Sequence, residues 1–282
     1  MGGDRHQGAL IVTIDDIRFV RPSGYTGEGR SGGLARGLLV YHDGTNLAGE
    51  GMGIGGVALK VGDGTCFSRS WTDCDQEGVF RRTFSLDTML VWGIGGRPSY
   101  LLSRLIESCV RAYTHYSWLQ GNYFGLLLRL RAMLGIRPLF IPIPSLGTIT
   151  IAYRVNGRQV EVHVSGTLQA GPDDRFCILN ELSADWLTAG WDGEHLVPPP
   201  PGWREISPGQ LPVSLADPGH GIRLFIDGPS TDPPAPYRIY EGRENTGDLS
   251  WAGFCIELGP LDRQGGFPEL RYIAGIEPGP LA

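Results

Sequence analysis

Short runs in which apolar and polar residues alternate, cut by Gly, Pro, Asp-Gly and Asn-Gly pairs, make up most of this chain. That period of two predicts half-buried β-strands. GALIVTIDDIRFV (8–20) predicts a first strand, and GLLVYHDGTNLAGEG (37–51) predicts two more, joined at Asp43-Gly44, a pair that tolerates the positive φ of a tight hairpin. Residues 56–61 turn at Asp63-Gly64 into CFSRSW, and 78–94 carry another alternating strand. The cleanest hairpin is TITIAYRV, Asn156-Gly157, RQVEVHV. On its second arm Val160, Val162 and Val164 alternate with Glu161, His163 and Ser165, so one face is buried and the other polar. RFCILNEL, GIRLFIDG, YRIYEGRE, SWAGFCIEL and ELRYIAGI read as further strands, and SADWLTAGWDGEHLV as a turn or short hairpin.

The period changes between Pro98 and Pro144. Leu101, Leu102, Leu105, Ile106, Cys109, Val110 and Tyr113 share one side of a 3.6-residue helix, with Ser103, Arg104, Glu107, Ser108 and Arg111 opposite. Pro98 and Ser99 suit its start. A second helical piece, 122–134, is apolar nearly all round and is interrupted only by Arg129 and Arg131 before Gly135 and Pro138 end it. The pattern as a whole predicts one α+β domain over 1–282. It is predominantly antiparallel β, a curved sheet or barrel-like body, with an inserted amphipathic helical pair (98–135) and an ordered Pro-rich excursion (197–236).

Charge sharpens the reading of the helices. Six arginines (97, 104, 111, 129, 131, 137) face Glu107 alone, so a basic segment sits on a chain of net charge −6. Packing on the sheet, with the arginines reaching water, is the plain reading; peripheral membrane contact through 98–137 is the functional one. Arg129 and Arg131 argue against a spanning helix. A sequence pI of about 5.5 excludes a general nucleic-acid binder. The five cysteines (66, 74, 109, 177, 255) are scattered and form no CxxC pair, which predicts buried free thiols in a reducing compartment. The N-terminus lacks a long apolar signal region, so a cytoplasmic location is expected, with membrane association as an extension of it.

No GxSxG, HExxH, Walker or kinase signature occurs, and no cofactor or metal motif is visible. Gly51, Gly53 and Gly56 match GxGxxG formally, but VALKV follows where a dinucleotide loop needs a helix; the glycines read as a bulge or close backbone approach. Four constellations offer chemistry. Asp73, Asp75 and Glu77 follow Trp71 and suit acid catalysis or a hard cation, or equally a solvated turn. Glu50 stands in a Gly-rich stretch open to close ligand approach. Glu181, Asp185, Asp192 and Glu194 interleave with Trp186 and Trp191, a combination suited to sugars, although Trp191-Asp192-Gly193 also reads as an ordinary turn. His115 and Tyr116 end the first helix, where the dipole favours a charged imidazole. His163 reads as a surface residue and His42 as a turn residue.

The leading expectation is a cofactor-free enzyme or carrier for an apolar small molecule, lipid- or isoprenoid-like, held in a β-rich cavity. Its chemistry would be acid–base (isomerisation, hydration or cyclisation) through Glu50, Asp73, Asp75, His115 and Tyr116. The alternatives are a non-catalytic protein that forms a homo-oligomer or binds a partner through its apolar helices, and a carbohydrate-active enzyme with paired carboxylates.

Overall fold

The structure, a computed structural model, describes residues 8–14, 16–22, 33–49, 51–62, 64–115, 133–198, 202–245, 250–259, 261 and 267–279. Along the chain run β1 (Gly8–Ile14), β2 (Ile17–Pro22), β3 (Leu39–His42), β4 (Thr45–Asn46), β5 (Gly53–Val61), β6 (Gly64–Phe67), β7 (Ser70–Gln76), β8 (Val79–Ser85), β9 (Thr88–Ile94) and β10 (Arg97–Pro98). Helix α1 (Tyr100–His115) follows, then β11 (Ile136–Pro142), β12 (Gly147–Asn156), β13 (Gln159–Leu168), β14 (Arg175–Leu182), β15 (Ala189–Trp191) and β16 (Leu196–Val197). The last strands are β17 (Gly202–Ile206), β18 (Val213–Asp217), β19 (Ile222–Asp232), β20 (Tyr237–Asn245), β21 (Ser250–Leu258) and β22 (Glu269–Pro278).

These strands form three open antiparallel sheets. The first has the order β1-β2-β3-β4. The second runs β10-β9-β6-β5-β14-β21-β20-β17, with β11 also on β9, and the third runs β16-β15-β18-β19-β22-β13-β12-β8-β7. The inner faces of the second and third sheets close on each other. Val57, Leu59, Phe176, Ile178, Phe254 and Ile256 belong to one, and Phe84, Ile149, Ile151, Val160, Val162, Leu224 and Ile276 to the other, in one continuous core. Ile17, Phe19, Leu39 and Val40 join it from the first sheet.

This corrects the expected architecture. The described residues contain no closed barrel and a single long helix in place of a helical pair; the second piece, 122–134, lies outside them up to residue 132. Two stacked sheets already bury their apolar faces against each other, so closure adds nothing to the core. Prolines on the outer strands β10 and β11 and the acids of β7 also discourage edge pairing.

The Asn156-Gly157 hairpin forms in the expected register, Asn156 opposite Gln159 and Tyr153 opposite Val162. The glycines at 51–56 do what backbone proximity predicts. Register slips by one residue where β5 meets β14 between Leu179 and Asn180, and Gly55 bulges with φ +77°. There Tyr153 donates to the Gly55 carbonyl (3.2 Å), while Asn180 Oδ1 accepts from the Gly55 amide (3.2 Å) and from Tyr272 (2.8 Å). Burial pushes the pKa of both phenols up, which keeps them as neutral donors tying the two sheets together. A Cβ on Gly55 would stand 2.6 Å from the Tyr153 hydroxyl. Gly55→Ala is therefore expected to cost about 1–3 kcal/mol, read as a lower urea midpoint with an unchanged slope.

Helix α1 starts as expected at Ser99, whose Oγ accepts from the Leu102 amide (3.4 Å), but it docks by an unexpected side. Ser103 is buried, donates to the Ser99 carbonyl (3.0 Å) and accepts from the Trp92 amide of β9 (2.8 Å). That bond pins the helix to the sheet by its polar edge. Leu102 and Ile106 are half-buried, whereas Leu101, Leu105 and Cys109 face outward. No helix among the described residues is long and apolar enough to cross a membrane.

Candidate functional site

The richest group of chemical side chains lies where turns from the first and third sheets meet. Asp43 (φ +47°) and Gly44 (φ +80°) both take left-handed conformations and close the β3–β4 hairpin, pairing His42 with Thr45. Asp16 precedes β2, and its carbonyl accepts from the Asp43 amide (3.1 Å), which joins the two turns. His42 is buried at 5% exposure and bonds Asp16 Oδ2 through Nε2 (2.7 Å); its Nδ1 has no hydrogen-bond partner among the described residues. Arg158, from the β12–β13 turn, holds the other Asp16 oxygen (2.9 Å).

Facing this pair is a second one. Asp217 ends β18 and is buried, and its Oδ1 accepts from the amides of Gly219 (3.0 Å) and His220 (3.2 Å). Its Oδ2 meets His220 Nδ1 at 2.7 Å. The Asp-Pro-Gly-His turn thus folds its own imidazole back on its own carboxylate. His220 rests edge-on against His42 (ring centres 5.7 Å apart, 89°) and against Trp186 (5.0 Å, 78°). Its side chain is 30% exposed, so a ring fixed by one nitrogen and two aromatic neighbours reaches solvent. With Nδ1–H given to Asp217, Nε2 is the nitrogen left for proton transfer.

Burial acts to raise the Asp16 pKa, but the bond to His42 and the charges of His42 and Arg158 outweigh it and hold the carboxyl below its ordinary range. A depressed carboxylate contributes stability that is complete above its unfolded pKa of about 3.9 and lost as pH falls through the folded value. The stability difference between the native protein and Asp16→Asn should therefore shrink as pH falls below about pH 4, as followed by urea denaturation across acidic pH. One oxygen each from Asp16 and Asp43 and a ring nitrogen of His42 lie within 4.8 Å of one another. A cation there would have to displace the Arg158 guanidinium, so the set as built suits proton transfer better than metal binding.

Two of the expected site residues are engaged elsewhere. Asp73 binds Arg82 with both oxygens (2.8 and 2.9 Å) and Asp75 binds Arg21 (3.0 Å), on the edge strand of the third sheet. Both carboxylates are occupied by structural arginines, and Glu77 occupies the β7–β8 turn with φ +52°. His115 is the last residue of α1, which packs on β9, β6 and β17. Glu50 and Tyr116 lie outside the described residues. Of the acid–indole group, only Trp186 reaches the site. Asp192 caps its own turn by accepting from the amides of Glu194 and His195, and Trp191 lies under Arg223. His163 bonds Glu269 at the surface (2.9 Å). Asp16, Arg158, Asp217 and His220 went unnoticed in the sequence. The one local signal was Asp217-Pro-Gly-His220 between two apolar runs, a turn in which Asp can bond a following His.

A second cluster occupies the outer face of the second sheet. Cys177 and Cys255 pack with Ala58 against Phe67, Leu179 and Tyr240, beside the Lys60–Glu257 ion pair (2.8 Å). Interaction with Cys255 lowers the Cys177 pKa against the opposing effect of burial, and Lys60 assists. Both thiols are buried, which closes them to a substrate. All five cysteines are free, as expected, but Cys74 and Cys109 are exposed.

No family model and no curated protein matches the sequence. Among solved structures, the chain is similar to a glycosyl hydrolase family 38 protein from Enterococcus faecalis (9% identity, TM-score 0.42, 97% of this chain and 31% of that one). It is also similar to an alpha-mannosidase from Enterococcus faecalis V583 (9%, 0.41, 97% and 30%). An aldose 1-epimerase-like protein from Escherichia coli K12 is similar over 96% of this chain and 99% of that one (10%, 0.40). The chain spans less than a third of the two Enterococcus proteins. Identities and TM-scores this low leave the chemistry to be read from the chain's own residues.

Proposed function

We propose that the His42–His220 cluster is the active site of an acid–base enzyme acting on a small hydroxylated substrate of the carbohydrate class, by proton transfer of the kind that opens or isomerises a sugar. The observation that carries this reading is the Asp217–His220 pair, held at 2.7 Å, with the opposite ring nitrogen directed away from its carboxylate and the side chain partly open to solvent. An imidazole in that setting can take a proton from a hydroxyl and return it to another oxygen or carbon. Asp217 fixes the tautomer and stabilises the charged ring, while His42 and Trp186 fix its plane. Asp16 is already committed to His42 and Arg158, and Asp217 to His220, so neither carboxylate is free to attack an anomeric carbon. This favours proton shuttling over hydrolysis by a carboxylate pair. The half-buried Trp186 supplies an apolar surface for the carbon face of a sugar, and the exposed Asp43 an acceptor for its hydroxyls.

The apolar-ligand reading called for a cavity in a curved or barrel-like β-body beside a helical pair, and the described sheets stack open without a closed barrel. The test is exchange NMR on a panel of aldoses and ketoses in deuterium oxide, which reports anomer interconversion and loss of carbon-bound protons together. Faster exchange of at least one sugar with native protein, abolished in His220→Asn, is the expected result. No acceleration across the panel, or undiminished acceleration by His220→Asn, overturns the proposal.

A further inference from the structure

Six large apolar side chains stand exposed around the start of α1: Leu101 (81%), Met133 (83%), Tyr100 (68%), Leu105 (61%), Leu134 (60%) and Ile94 (52%). The one further exposed large apolar residue among those described, Leu196, is less open at 39%. Strand register gathers the six. Ile94 pairs with Arg97 on β10, which leads into Tyr100 and Leu101, and with Ile136 on β11, which follows Met133 and Leu134. The grouping follows from how the helix docks: the Ser103 bond to β9 turns Leu101 and Leu105 outward. Concentrated apolar exposure of this kind marks an interaction surface.

Arg97, Arg104 and Arg137 stand exposed on the same three elements, β10, α1 and β11, and the sequence from 97 to 137 carries Glu107 as its single acid. The remainder of the chain is acidic, so this face is set apart by charge as well as by hydrophobicity. A second copy packed here about a two-fold axis would bring arginine against arginine. An anionic bilayer satisfies both properties at once, since its headgroups meet guanidinium and its acyl boundary accepts leucine and methionine. We propose that this arginine-studded apolar face seats the protein on an anionic lipid surface, with Leu101, Leu105, Met133 and Leu134 entering the headgroup–acyl boundary and Arg97, Arg104 and Arg137 meeting the headgroups. This assignment is independent of the His42–His220 cluster.

The experiment is co-sedimentation of the full chain with vesicles of phosphatidylcholine alone and of phosphatidylcholine with about a third phosphatidylserine. Native protein, Leu101→Ser/Leu105→Ser and Arg104→Glu/Arg137→Glu are compared, with thermal melts to confirm that each is folded. Native protein should bind the anionic vesicles, release with salt, and bind neutral ones at least roughly tenfold more weakly. Each double variant should lose roughly tenfold or more in partitioning at an unchanged melting temperature. The proposal is overturned by no binding to anionic vesicles, by equal binding to both compositions, or by folded variants that bind like native protein. A dimer in analytical ultracentrifugation that Leu101→Ser/Leu105→Ser dissociates, without vesicle binding, would assign the face to self-association instead.

Discussion

Asp73→Asn is expected to lower the unfolding free energy by about 3–5 kcal/mol, while Asp75→Asn, two residues away on the same strand, leaves it within about 0.5 kcal/mol. The difference is in what each carboxylate neutralises. Arg82 is fully buried, between the rings of Trp71 and Phe80, and donates to the carbonyls of Arg36 (2.6 Å) and Pro22 (2.7 Å) as well as to Asp73. Removing the Asp73 charge leaves a buried guanidinium without its counter-ion, the costly half of a broken buried pair. Arg21, whose Nε is 3.8 Å from Asp73, is a second cation there and supplies no replacement, and the exposed Asp75 is already its ion-pair partner. Arg82→Met should cost as much, because two carbonyls of the first-sheet connections then lose their donor. Urea denaturation of the three variants decides the matter. A small effect of Asp73→Asn would mean that the carboxylate is not structural and would return it to the list of catalytic candidates.

The largest effect on activity is expected at His220. Loss of a positioned general acid or base commonly lowers turnover by roughly 10²–10⁴-fold, and His220→Asn should fall in that range for whichever sugar the exchange experiment identifies. Asp217→Asn keeps an oxygen to accept the Gly219 and His220 amides that hold the turn, while His42 and Trp186 still flank the ring, but turns a donor toward Nδ1 and so reverses the tautomer; kcat should fall with little change in KM. Trp186→Ala should act mainly on KM through the lost sugar-facing surface, with a smaller effect on kcat from a looser His220 ring. If Asp217→Asn instead raises KM alone, the pair is a binding device and the acid–base role fails. The same assay run on Asp73→Asn below its melting transition should show native turnover, which separates the structural carboxylate from the functional site.

Much of this could be read locally. The alternation of Val160, Val162 and Val164 against polar neighbours, the Asn156-Gly157 turn and the Asp43-Gly44 turn were legible because their causes lie within a few residues: side-chain period and a tolerance for positive φ. The glycines at 51–56 were legible for the same reason, since a strand-like run after them left no helix for a phosphate site. Helix α1 was legible as a helix, but its docking face was not. Seven apolar residues pointed to one buried stripe, and the single hydroxyl–amide bond between Ser103 and Trp92 turned the helix by part of a turn and left Leu101 and Leu105 outside. Asp73 and Asp75 were conspicuous as a cluster of acids, yet their partners Arg82 and Arg21 come from other strands, so nothing nearby in sequence showed that they were occupied.

By itself, then, the sequence determined the elements: short antiparallel strands, their turns, one amphipathic helix and a basic apolar segment on an acidic chain. Each follows from local periodicity and backbone preference, which act within a turn or a hairpin. Only the tertiary structure decided that the sheets stack open and do not close, and that His42 and His220, 178 positions apart in the chain, share an edge contact. The physical reason is that strand order and sheet stacking are fixed by burying apolar faces across the whole domain. The turns that carry Asp16, His42, Arg158 and His220 are brought together as a consequence of that burial, and no local feature of the four segments records the meeting.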